Sequence, residues 1–120
     1  MSFSDWMQAP TRRLHTFTGS PDGRNPYTRL IADARGNLYG TTSFGGDTQC
    51  NGGYSCGVVF EVRANGTERV LHAFTGGTTD GEVPYGGLVR DAAGNIYGTT
   101  VSGGTGLCSQ GCGVVFELRP

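Results

Sequence analysis

The chain has 120 residues, of which 22 are glycine, a net charge of −1 and only 16% charged residues. That length holds one small domain or a few repeats. So much glycine without helix-length periodicity excludes a helical bundle, and glycine does not recur at every third position as collagen requires. The basic residues, all arginine, form no surplus or stripe suited to nucleic acid, and no apolar run approaches the roughly 18 residues of a membrane helix.

In chain order, residues 1–11 read as an N-terminal extension holding Trp6, with no basic-then-apolar leader pattern. A first strand follows at 12–17, RRLHTF, and then a loop at 18–26. The spacing next predicts strands at 27–33 and 37–42, joined by the turn Asp33-Ala34-Arg35-Gly36, where Asp suits the first turn position and Gly accepts a positive φ. After a loop at 43–56 come strands at 57–63 and 68–74, joined through Asn65-Gly66, a hairpin signal. A loop at 75–84 leads to strands at 85–91 and 95–100, joined by Asp91-Ala92-Ala93-Gly94. A loop at 101–112 then leads to a last strand at 113–119. The strands favour β-branched and aromatic residues.

The chain states one unit twice. LHTFTG at 14–19 returns as LHAFTG at 71–76, ADARGNLYGTT at 32–42 as RDAAGNIYGTT at 90–100, and CGVVFEV at 56–62 as CGVVFEL at 112–118. Four-stranded units at this period point to a β-propeller with two four-stranded antiparallel blades per chain, at 27–74 and 85–119. An eight-stranded sandwich or barrel and a β-solenoid are the alternatives. The second blade lacks an outer strand, and strand 12–17 has no sheet of its own. The expectation is that this strand completes the second blade of a neighbouring copy, which would close a ring by self-association. A trimer is favoured, with a tetramer as the other closure.

The blocks Gly36 to Thr42, Gly45-Gly46 and Gly57 to Val62 recur as Gly94 to Thr100, Gly103-Gly104 and Gly113 to Leu118, with Tyr85-Gly86-Gly87-Leu88-Val89 opening the second sheet. This pattern resembles the bacterial tandem repeats called GloVer, found in proteins with varied C-terminal surface anchors. The resemblance implies a propeller-like repeat protein, secreted or at the cell surface, and transfers no catalytic residue. Two blades per chain is also similar, in architecture only, to small trimeric bacterial fucose-binding lectins.

Cys50 with Cys56 and Cys108 with Cys112 occupy the same loop in both copies, which reads as two local disulfides and an oxidising compartment. A four-cysteine zinc site fits the spacing poorly, and free thiols are the remaining reading. No metal or cofactor is expected.

His15 and His72 recur at one repeat position and read as structural, as do Asp33 and Asp91. Glu61 and Glu117 are expected to meet arginine from a neighbouring blade, and no serine sits in a nucleophile motif. The expected function is a non-catalytic binding module, lectin-like, which recognises glycan or protein through its long loops. A purely structural surface segment and a hydrolase or lyase in the central funnel are the other readings. Residues that differ between copies are the better ligand candidates: Arg24, Asn25, Glu82, Phe44 and Tyr54. Asp22 and Asp80 are weighed as ligands against ordinary turn residues. Pro26-Tyr27 and Pro84-Tyr85 are expected to pack between blades.

Overall fold

The computed structural model describes residues 9–50 and 56–120. Among them the chain is all-β, with two antiparallel sheets, no helix and no closed barrel. The first sheet holds β1 (Arg24–Pro26), β2 (Ile31–Ala32), β3 (Leu38–Phe44), β4 (Val58–Val62) and β5 (Glu68–Ala73). The second holds β6 (Gly81–Pro84), β7 (Val89–Arg90), β8 (Ile96–Gly103) and β9 (Val115–Leu118). Each runs as a meander, and the inner strand comes in two pieces that both pair with the next strand.

The expected strands at 27–33 and 85–91 are therefore corrected. The ladder uses 24–26 and 31–32, then 81–84 and 89–90, and the residues between leave it. Pro26 and Pro84 end the first piece of each, because proline has no N–H to donate to a ladder.

The Asp-x-x-Gly turns form as expected, and their aspartates hold them. Asp33 accepts hydrogen bonds from the N–H groups of Arg35 and Asn37, the Asn37 amide and the Tyr39 hydroxyl. Asp91 does the same with Ala93, Asn95 and Tyr97. Desolvation opposes ionisation of Asp33, but these donors outweigh it and hold its carboxyl down at about 2. The Gly-Thr-Thr blocks have a packing reason. Gly40 lies opposite Phe60 and Gly98 opposite Phe116. A Cβ at either glycine would run into the aromatic ring at 2.8 Å and 2.6 Å respectively.

The main core lies between the sheets, where Tyr39 and Val59 of the first meet Leu88 and Ile96 of the second, with Phe74 between them. Phe74 is fully buried and stands edge-on to Phe116 at 5.2 Å. Residues 12–17 pair with no strand among the described residues. They nevertheless repeat that geometry one unit earlier, with Phe17 edge-on to Phe60 at 4.9 Å. The segment stands to the first sheet as β5 stands to the second. Strand β4 is therefore buried on both faces.

Strand β9 is not. Val59 is fully buried, while Val115, its repeat equivalent, is 80% exposed. Leu88 is buried at 4%, and its equivalent Leu30 is 48% exposed. The two ends of the array thus present the unmatched halves of the interface that the two sheets make in the middle.

Candidate ligand-binding site

The long loops meet at one end of the sheets. The Gly46 N–H donates to the Gly19 carbonyl in the first repeat, and the Gly104 N–H donates to the Gly77 carbonyl in the second. Three of the sequence differences singled out between the copies fall in cross-strand pairs: Arg24 lies opposite Phe44, and Glu82 lies opposite Ser102, the counterpart of Phe44. Swapping one pair changes a cationic, aromatic corner into an acidic, polar one.

Arg24 places its guanidinium over the Phe44 ring, 5.5 Å from its centre, a cation–π arrangement. Asn25 takes a left-handed φ of 62°, a conformation Asn adopts more readily than most residues. Arg24, Asn25 and Phe44 share a cleft of about 400 Å³ with Tyr27, Ser43 and Tyr85. The two tyrosines come from different repeats and stack at 5.2 Å between ring centres and 24° between planes. They stack on each other across the two repeats rather than being buried between them: Tyr27 is 69% and Tyr85 52% exposed. The Tyr27 hydroxyl beside it raises Tyr85 above the ordinary phenol value. No carboxylate or histidine lines this cleft among the described residues.

The other sequence candidates lie elsewhere. Asp22 is buried and accepts from the Thr18 N–H and hydroxyl, with His15 at 3.0 Å. Burial alone would raise its carboxyl, but the bonds from Thr18 and His15 outweigh that and leave it lowered. Asp80 holds Thr75 and His72 in the same way. These His–Asp pairs are clamps that tie each long loop to the segment before it. Glu82 is only 5% exposed and lies against Cys56 of the first repeat, apart from the Arg24 cleft. Tyr54 and Trp6 lie outside the described residues.

Glu61 is also a correction. Its arginines are Arg63 and Arg69 of its own sheet, each at 3.2 Å, with Arg69 directly opposite on β5. Glu117 likewise meets Arg119, just past the end of its own strand. Sequence reasoning assigned Tyr27 and Tyr85, which follow prolines at matching repeat positions, to packing between blades; the structure stacks them on each other and leaves both exposed.

Both predicted disulfides, Cys50–Cys56 and Cys108–Cys112, are formed. The fold and its loops define an all-β tandem-repeat protein with one loop-built end. Over residues 5–120 the sequence matches the Gloeobacter/Verrucomicrobia repeat, and the chain belongs to that family. No significant match is found among curated proteins or solved structures. The repeat family and the disulfides are compatible with an extracellular location.

Proposed function

We propose that the chain is a secreted or cell-surface, non-catalytic, lectin-like module that binds glycan in the cleft of Arg24, Asn25, Phe44, Tyr27 and Tyr85. The observation that carries this reading is the exposed tyrosine stack beside a fixed guanidinium. Exposed aromatic faces suit the apolar face of a sugar ring, and Arg24, Asn25 and Ser43 supply hydrogen-bonding groups for its hydroxyls. A cleft lined, among the described residues, by neither carboxylate nor histidine favours binding over acid–base chemistry.

Each sheet is read as a propeller blade, and copies associate head to tail. The exposed Val115 face of one copy meets the Leu30 and Phe60 face of the next, as Val59 meets Leu88 within the chain. Residues 12–17 then pair with the open edge of β9, and three copies make six blades. Tyr85 keeps half its surface open although a repeat precedes it, so a neighbour beside Tyr27 leaves the platform accessible. Equal sites around a ring give avidity above the single-site affinity.

A glycan array at high ligand density tests the binding. The expected result is retention of a defined glycan class, lost in the Tyr27→Ala/Tyr85→Ala double variant while thermal stability stays unchanged. An empty array overturns the reading in favour of a purely structural segment, and binding that survives that variant and Arg24→Ala overturns the assignment of the site to this cleft.

A further inference from the structure

The clamp of the first repeat gathers more than its counterpart does. His15 Nε2 stands 3.0 Å from Asp22 Oδ2. A Glu68 carboxylate oxygen joins them, with all three ligand atoms within 4.8 Å of one another. Glu68 sits at the start of β5, opposite Val62. Its Oε2 is buried and has no hydrogen-bond partner among the described residues. A buried carboxylate oxygen with no donor is costly, and a bound cation removes that cost.

The second clamp gathers His72 and Asp80 at the same 3.0 Å but no third ligand among the described residues. In sequence register, Thr11 holds the position in the N-terminal segment that Glu68 holds in β5. The third ligand is therefore not something the repeat scaffold needs.

We propose that His15, Asp22 and Glu68 bind one divalent transition-metal ion, with zinc the best fit. Zinc takes imidazole nitrogen and carboxylate oxygen at about 2.0–2.2 Å, which sets tetrahedral ligand atoms roughly 3.4 Å apart. The His15–Asp22 pair is already close to that separation, so a modest inward shift of Glu68 completes three protein ligands. The fourth position is left to water. An imidazole ligand disfavours calcium and magnesium, which prefer oxygen alone. The supporting contacts are in place. Thr18 donates its hydroxyl to Asp22 Oδ1 at 2.6 Å, and the His15 ring is set edge-on to Phe17. His15 is 20% and Asp22 10% exposed at the side chain, which leaves a path for the ion.

The test is titration of EDTA-treated, redialysed protein with zinc chloride in a calorimeter, with manganese chloride as the second probe. Wild type should bind one zinc ion per chain, more tightly than manganese, and its melting temperature should rise with zinc. Glu68→Gln gives up no hydrogen bond at Oε2, so it should fold normally, bind zinc at least tenfold more weakly and lose the thermal shift. Asp80→Asn, in the clamp without a third ligand, should bind zinc as wild type does. Three results overturn the proposal: no zinc bound by wild type, equal affinity in Glu68→Gln, or equal loss in Asp80→Asn.

Discussion

Val59 and Val115 are the same residue at the same repeat position, one fully buried and the other 80% exposed. Replacing each with alanine therefore separates packing within the chain from packing between chains. Two methyl-sized groups of transfer free energy are about 1.6 kcal/mol, and the cavity left at Val59 brings the expected loss to roughly 2–3 kcal/mol. At Val115 the same deletion in an isolated chain removes only about a fifth of the transfer value, roughly 0.3 kcal/mol. If a second copy covers Val115 as the second sheet covers Val59, the missing energy reappears as association. A loss of about 2 kcal/mol per interface weakens self-association nearly thirtyfold. Urea unfolding at low protein concentration, together with light scattering across a concentration series, reads both quantities. Val59→Ala should lower the unfolding midpoint at every concentration. Val115→Ala should leave the dilute midpoint unchanged and shift the assembly to higher concentration. Equal stability loss at both sites would refute the burial argument, and an unchanged assembly curve for Val115→Ala would refute the head-to-tail interface.

Other consequences follow from the loops and turns. Asp33 is held at about 2 in the fold and near 3.9 unfolded, so its stabilisation is complete above about pH 4 and lost as pH falls toward 2. The midpoint gap between wild type and Asp33→Asn, measured in urea, should thus be wide at pH 7 and close by pH 2; a gap independent of pH would count against it. Gly57 has a φ of 89°, and a Cβ there would run into the Thr42 carbonyl oxygen. Gly57→Ala should therefore cost at least about 3 kcal/mol by chemical denaturation, and a loss below about 1 kcal/mol would show that the loop relaxes. Cys50 and Cys56 are buried at 5% and 0%, whereas Cys108 and Cys112 are exposed. Mild reduction followed by alkylation and peptide mass mapping should label Cys108 and Cys112 first; simultaneous labelling of all four would contradict the packing at Cys50.

The repeat made most of this architecture readable. A unit stated twice fixes which segments pack and which loops vary, and the Asp33 and Asp91 turns formed where their chemistry placed them. Three things were not readable, each for a physical reason. The inner strand breaks after Pro26 and Pro84, and a β-rich composition does not reveal where a ladder loses its donors. Glu82 is buried beside Cys56 of the other repeat, so its own neighbours in sequence say nothing of its surroundings. Glu61 finds Arg69 across its own sheet because the β4–β5 register, shifted by an irregularity at Val59 and Phe60, sets them opposite.

The places where the two copies disagree also locate the chemistry. Matched residues do matched structural work: His15 and His72 clamp loops, Asp33 and Asp91 close turns, Gly40 and Gly98 admit aromatic rings. Arg24 and Phe44 differ from Glu82 and Ser102, and they differ together, because each pair faces across one ladder. Glu68 differs from Thr11, and it adds a third ligand atom to one clamp of two. A scaffold under only structural demand would hold both copies to the same residues at such contacts. The unequal pairs mark positions where the fold tolerates either residue, and Arg24 and Glu68 are two such positions that carry a charge.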